Sequence, residues 1–276
     1  MGAETVIVPM QRSRGDATVA LTVGPVGQRL TGLRQSGSAK CMLPYGAGGR
    51  TMVPEVVFLN TSGGLAGGDV LSYGVQLGPN ARATATTQTA ERAYRSSGGV
   101  ARVRVALEVG AHGWLDWLPQ ETILFNDSRV DRRTDVDLAP GAGCLMLESV
   151  VLGRAAMGET VTRVALRDWR EIRVAGRSVM VEPLRLSDAT LRSGVAGLAG
   201  ARAFASVVMV GQGVADLLTP LRDVLTEPGV TAAASAPDGR LMLRIMAGDG
   251  WPMRRQIARC LAILRRGAPL PRVWQM

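Results

Sequence analysis

The chain has 276 residues, 46% of them hydrophobic, which is enough to bury a core and excludes a disordered polymer. Its 32 Lys and Arg against 23 Asp and Glu give a net charge of +9. Aromatic residues are only 4% of the total and the arginines lie in strand-like alternation, as at Arg102, Arg104, Arg129, Arg132 and Arg133. A stacking platform for nucleic acid is therefore not expected, and an acidic protein partner is the better use of the charge.

In chain order, the N-terminal stretch through Asp16 has a short apolar patch ahead of its arginines, the reverse of an export signal. Strands are expected at Val19 to Val23, Val56 to Leu59 and Leu71 to Leu77, where Leu71, Tyr73, Val75 and Leu77 alternate with small or polar residues. Further strands follow at Ala83 to Thr89, Val103 to Val109, Val161 to Leu166, Ile172 to Val174 and Val179 to Val181. Gly78-Pro79-Asn80, Ser97-Gly98-Gly99, Pro140-Gly141 and Ala175-Gly176-Arg177 punctuate them as turns.

After about residue 200 the pattern changes. A strand at Val207 to Val210 precedes helical spacing of Val214, Leu217, Leu218, Leu221, Val224 and Leu225. A hairpin is expected around Pro237-Asp238-Gly239, and a closing helix carries Met253, Ile257, Leu261 and Leu264 on one face before Gly267 and Pro269 end it. The fold class expected is mainly β, as layered antiparallel sheets or a β-solenoid-like scaffold with a few helices, two of them near the C-terminus. No linker breaks the chain, so 1–276 reads as one unit, mainly β over 1–200 with a continuous α+β portion over 201–276. Nowhere do about 18 apolar residues run without Arg, Asp or Gly, so no membrane span is expected and the protein is expected to be cytoplasmic.

Catalytic chemistry finds little support. Ser62-Gly63-Gly64-Leu65-Ala66-Gly67-Gly68-Asp69 lacks the Lys of a phosphate-binding loop, and a strand rather than a helix follows it, so it reads as a tight loop. His112 is the sole histidine and sits in a turn; Cys41, Cys144 and Cys260 are widely spaced and read as small buried hydrophobes. Among the carboxylates, Asp116 and Glu121 flank Trp117-Leu118-Pro119 and make a carboxylate-based hydrolase or lyase the alternative reading.

Five or six motifs, in order, carry a family likeness over roughly residues 19 to 274: the glycine loop Leu59 to Asp69, Thr87 to Ser96, Trp117 to Phe125, Leu152 to Glu159, Val181 to Leu186, and Pro271 to Trp274. Together they resemble the UreD (UreH) family of urease accessory proteins. The resemblance implies a non-enzymatic, β-rich scaffold that binds UreF, meets the GTPase UreG through UreF, docks on apo-urease and serves nickel insertion. It further implies that Asp69, Glu148, Glu182 and Ser96 line a polar passage for transient Ni(II), with no permanent cofactor. Hard oxygen ligands suit such a task because they release the ion, and a row of buried acids requires water, a nearby arginine such as Arg154, or both.

Overall fold

The structure, a computed structural model, describes residues 12–44 and 53–275; the apolar N-terminal patch lies outside the described residues. The chain begins with a hairpin, β1 (Arg14–Gly24) and β2 (Gly27–Gly37), followed by β3 (Ala39–Met42) and β4 (Glu55–Asn60). Next come β5 (Val70–Leu77), β6 (Arg82–Thr87), β7 (Glu91–Ala93), β8 (Ala101–Val109), β9 (Trp114–Trp117) and β10 (Thr122–Leu124). Three long strands, β11 (Ser128–Leu138), β12 (Gly143–Leu152) and β13 (Val164–Val174), lead into β14 (Arg177–Ser187) and the short helix α1 (Asp188–Arg192). The C-terminal portion holds β15 (Ala203–Val210), α2 (Leu218–Asp223), β16 (Val230–Ser235), β17 (Arg240–Ala247) and α3 (Gly250–Leu264).

These strands form two facing sheets. One runs β14-β13-β11-β8-β5-β1-β2, the other β16-β17-β15-β12-β9-β6-β4-β3, and the short strands β7 and β10 pair beside β12. In the first sheet β1, β5, β8, β11 and β13 are all parallel; in the second β4, β6, β9 and β12 are parallel. Among the described residues no helix makes these parallel steps. From β5 to β13 each strand of the first sheet is instead followed by one or two strands of the second before the chain returns one rung further on, so the coils stack as a solenoid. The mainly β, layered expectation holds, and solenoid stacking is the arrangement taken in the centre. Antiparallel pairing closes the ends, as β1 with β2, β13 with β14, and β12 with β15 and β17 beyond it.

Alternation accounts for most of the core. On β8, Ala101, Val103, Val105, Leu107 and Val109 point inward while the residues between them face solvent. Strand β12 departs from that rule because both of its faces are covered: Cys144 and Met146 join the cluster between the sheets, and Leu145 and Leu147 join a second cluster under α3. Its apolar run therefore has no period of two, and the segment was not expected as a strand. Of the strand expected at Val161 to Leu166 only residues 164–166 are extended in a sheet; they and the expected Ile172 to Val174 are parts of β13, which also carries the polar residues between them.

The closing helix appears as α3, with Met253, Ile257, Leu261 and Leu264 buried and Asp249 accepting a hydrogen bond from Trp251 N at 2.9 Å as its cap. The helix expected from Val214 is shorter: a 3-10 turn at Ala215–Leu217 precedes α2. Pro220 has no N–H to continue a ladder from that turn, so the helix restarts. Among the described residues no helix is long and apolar enough to cross a membrane.

The C-terminal segment is tied back to the solenoid. Arg265 reaches Asp116 at 2.8 Å, Trp274 Nε1 donates to Leu118 O at 3.0 Å, and the Arg254 guanidinium lies 4.6 Å from the Trp274 ring centroid. Replacing Trp274, 6% exposed, with Ala is expected to cost about 3 kcal/mol in urea denaturation, whereas Trp251→Ala, on a 62% exposed side chain, should stay within about 0.5 kcal/mol. A loss at Trp274 as small as that at Trp251 would mean that the tail is not part of the cooperative fold.

Candidate functional site

The inward faces of β11, β12, β13, β14 and β15 are apolar at both ends and polar in the middle. Toward one end lie Val130, Leu166, Leu186, Val150 and Leu152; toward the other lie Val136, Ile172, Met180, Met146 and Val208. Between these two clusters the same strands place Arg132 and Thr134, Asp168 and Arg170, Glu182, Glu148 and Ser206. The result is a polar layer crossing the space between the sheets.

Arg132 is its hub. Its Nε and Nη2 donate to the two Asp168 oxygens at 3.0 and 2.7 Å, and its Nη1 lies 2.6 Å from Glu148 Oε2 and donates to Thr122 Oγ1 at 3.1 Å. Trp117 Nε1 donates to the other Glu148 oxygen at 3.1 Å. Arg170 continues the layer, with Nη1 2.9 Å from Glu182 Oε2 and Nε 3.4 Å from Asp168 Oδ2. Ser206 Oγ donates to Glu182 Oε2 at 2.9 Å and accepts from Arg244 Nη1 at 2.8 Å, and the Arg244 guanidinium also pairs with Glu182. Since the Arg244 side chain is 45% exposed, the layer reaches solvent at that end.

Three carboxylates face three guanidinium groups, so the interior charges balance. Burial pushes the Glu148 carboxyl above its ordinary range despite the opposing pull of Arg132. Burial also works against the Asp168 charge, but there Arg132, held through two hydrogen bonds, together with Arg170 prevails and keeps the carboxyl below its usual range. Not every polar atom is satisfied. Thr134 Oγ1 and the Nε and Nη1 of Arg170 are buried without a well-aligned hydrogen bond, although Arg170 lies close to its two carboxylates. Unsatisfied buried donors of this kind are costly in a dry interior and call for internal water.

The four residues expected to line a passage fall in two places. Glu148 and Glu182 belong to the layer. Asp69 instead pins the glycine loop: its Oδ1 accepts from Ser13 N at 2.8 Å and its Oδ2 from Ala66 N at 2.7 Å. Ser96 packs against that loop, accepting from Gly98 N at 3.2 Å and donating to Gly99 O at 2.9 Å. The glycines are required here, because a Cβ on Gly64 would come 2.4 Å from the Tyr94 ring and one on Gly67 would come 2.1 Å from Ser96 Oγ. Arg154, expected near the buried acids, pairs with Glu159 at 2.8 Å and lies over Phe125; Arg132 and Arg170 take the role assigned to it.

Glu91 adds a second acid beside the loop. Its carboxylate accepts from Asn60 Nδ2 at 3.1 Å. Burial pushes it up to about 7; Asn60 and Arg92 act in the other direction and the charge on Asp69 adds to the rise. Asp116 and Glu121 do not form an acid pair: Asp116 binds Arg265 and Trp114 Nε1, at 2.8 Å each, and Glu121 lies 3.6 Å from Arg254. The three cysteines are buried and free, and burial pushes Cys41 and Cys144 up to about 12 and Cys260 up to about 11, which leaves them unreactive. His112 is exposed in a turn with φ of 58°, in keeping with its reading from sequence.

Strand-like alternation alone does not separate Arg132 from the arginines around it. The available signal was parity: in β11 it shares a face with Val130, Thr134 and Val136, not with Arg129 and Arg133. Arg132→Met strands two carboxylates in the core and is expected to cost about 3–5 kcal/mol at pH 7, measured by urea denaturation, with the deficit narrowing near pH 4 as the acids take up protons. A deficit independent of pH would mean that lost packing alone explains it.

Glu91 gives the opposite pH signature. A carboxyl that ionises near its usual 4.5 in the unfolded chain and near 7 in the fold holds its proton more tightly when folded. Its contribution is complete below about pH 4.5 and is lost as pH rises through 7. Glu91→Gln should therefore be more stable than the parent at pH 8 by on the order of 2 kcal/mol and no more stable at pH 5. A constant difference across that range would show that the two residues differ in packing and not in charge.

Comparison with known proteins gives matches along nearly the whole chain. The family described as UreD urease accessory protein matches residues 13–275. A protein named Urease accessory protein UreD from Cereibacter sphaeroides is 61% identical over 268 residues, covering 96% of each chain. Proteins of the same name from Paracoccus denitrificans and Dinoroseobacter shibae are 56% and 48% identical, covering 98% and 97% of this chain and 94% of each of theirs. Matched from end to end at this level of identity, the chain belongs to the UreD family of urease accessory proteins.

Proposed function

We propose that this accessory protein is a non-catalytic, cytoplasmic scaffold for nickel insertion, binding UreF, meeting the GTPase UreG through UreF, docking on apo-urease and giving Ni(II) a polar route. The observation that supports the route is the layer between the two apolar clusters, which holds Glu148 and Glu182 and carries buried polar atoms that need water. A dication entering a dry carboxylate cluster would be trapped. Here each acid already faces a guanidinium, so a passing ion gains only what it wins in competition with Arg132, Arg170 or Arg244. Weak, exchangeable oxygen contacts are what release requires.

Asp69 and Ser96 enter this reading as the far end of the route, where the glycine loop meets the Ser96–Gly99 turn. Asp69 binds two backbone N–H groups, so its removal also loosens the loop. The hydrolase or lyase alternative draws no support from Asp116 and Glu121, which are engaged by different arginines.

The decisive experiment is co-purification with UreF and apo-urease, followed by metal analysis of the urease recovered. Glu148→Gln and Glu182→Gln, which keep the side chain's shape and one acceptor oxygen but remove its charge, should leave assembly intact and lower the nickel content of urease severalfold. Loss of assembly would assign these acids to structure alone. Full nickel content in both variants, or full urease activation in nickel-limited cells without this protein, would remove the proposal.

A further inference from the structure

The outer face of the first sheet is as ordered as its inner face. Strand register places Arg102, Asp131, Arg167 and Arg185 in one row across β8, β11, β13 and β14, and Arg104, Arg133, Trp169 and Pro183 in the next. Asp131 is the single carboxylate in these two rows, and Arg104 engages it at 2.8 Å. Arg102, Arg167 and Arg185 are exposed and form no ion pair with any described residue. Arg167 and Arg185 are direct cross-strand neighbours, an arrangement that is destabilising when nothing lies between the charges. Arg104, Asp131, Arg133, Arg167, Trp169 and Arg185 surround a depression of about 370 Å³. Trp169 is 38% exposed beside it, with Pro183 as its cross-strand neighbour.

We propose that this basic end of the sheet face seats an extended acidic segment of a partner protein, its carboxylates bound by Arg102, Arg167 and Arg185 and an apolar side chain laid on Trp169 and Pro183. Trp and Arg are the side chains that most often carry interface energy, and guanidinium groups suit carboxylates geometrically. The next two rows decide between occupants. They hold Asp135, Glu171, Glu108 and Asp137, so a nucleic-acid backbone running along the strands would meet acids after a few phosphates. A second copy fits no better. Of the four acids that would have to meet its arginines, Asp135, Glu171 and Asp137 are already held by Arg133 and Arg173, at 2.7 Å for Arg133 to Asp135, 3.1 Å for Arg173 to Glu171 and 2.7 Å for Arg173 to Asp137, which leaves Glu108 alone to face a row of arginines.

The inference rests on the scaffold reading only in assuming a protein partner. Its test is fluorescence anisotropy of the full chain with a fluorescein-labelled pentapeptide bearing two acidic residues on each side of a phenylalanine. Saturable binding is expected, weakened at least tenfold by Arg167→Glu with Arg185→Glu and by Trp169→Ala, and changed less than twofold by Arg29→Glu on the far edge of the same sheet. Arg167→Gln with Arg185→Gln, which adds no new charge, should weaken binding at least threefold and guards against a misfolded double reversal. Three results would overturn it: equal binding of the peptide with its acids replaced by amides, tighter binding of a twenty-nucleotide single-stranded DNA through the same arginines, or a chain dimer abolished by the double variant. Nickel loading of urease is scored separately. Failed peptide binding with normal loading removes the docking surface and leaves the scaffold, whereas retained peptide binding with no loading role does the reverse.

Discussion

Two sheets that each carry a guanidinium or carboxylate into a shared interior must match those charges or lose the fold, and Arg132 is where the match is made. It binds Asp168 within its own sheet and Glu148 on the facing one, so one side chain closes the gap between the layers. Burial works against its charge, and the two acids more than restore it, raising its pKa further above the ordinary arginine value. Such a network does not maximise stability, since apolar residues of similar volume would be at least as good. What it supplies is specificity of alignment, together with a polar zone that hydrocarbon could not provide.

The solenoid explains how these groups come together from distant sequence. Parallel stacking puts successive coils in register, so Arg132 on β11 stands beside Asp168 on β13 although a full coil separates them. Glu148 arrives from the opposite sheet within the same turn of the coil. Beyond β13 the pairing turns antiparallel, and β14 and β15 close the layer with Glu182 and Ser206 from the two sheets. The polar layer therefore lies where stacking ends and capping begins, where the second sheet continues through β15 and β17 and the exposed Arg244 can reach Glu182.

Much of the strand content was legible because half-buried strands advertise themselves by alternation, as β5 and β8 do. Strand β12 was not, since α3 covers its outer face and removes the polar half of the pattern. Parallel pairing was also hidden: nothing local distinguishes a strand that crosses to the other sheet from one that turns back in a hairpin. In the site, Glu148 and Glu182 came from family likeness, and they do share one layer. Their partners Arg132, Asp168 and Arg170 did not, because a charged residue in a strand reads as solvent-facing unless its parity is followed against its apolar neighbours.

Parity also links the two faces of β13. Asp168 and Arg170 point into the layer, while Arg167 and Trp169 point outward into the basic rows. A slip of one residue would bury Arg167 and Trp169 among the acids and expel Asp168 and Arg170 to solvent. The bidentate contact between Arg132 and Asp168 opposes that slip more strongly than packing alone, since an apolar core tolerates exchange of one hydrophobe for another but not the loss of a matched charge. The interior network thereby fixes which arginines stand together outside. A change of register in β13 would therefore alter both faces at once, whereas a side-chain substitution on one face leaves the other in place.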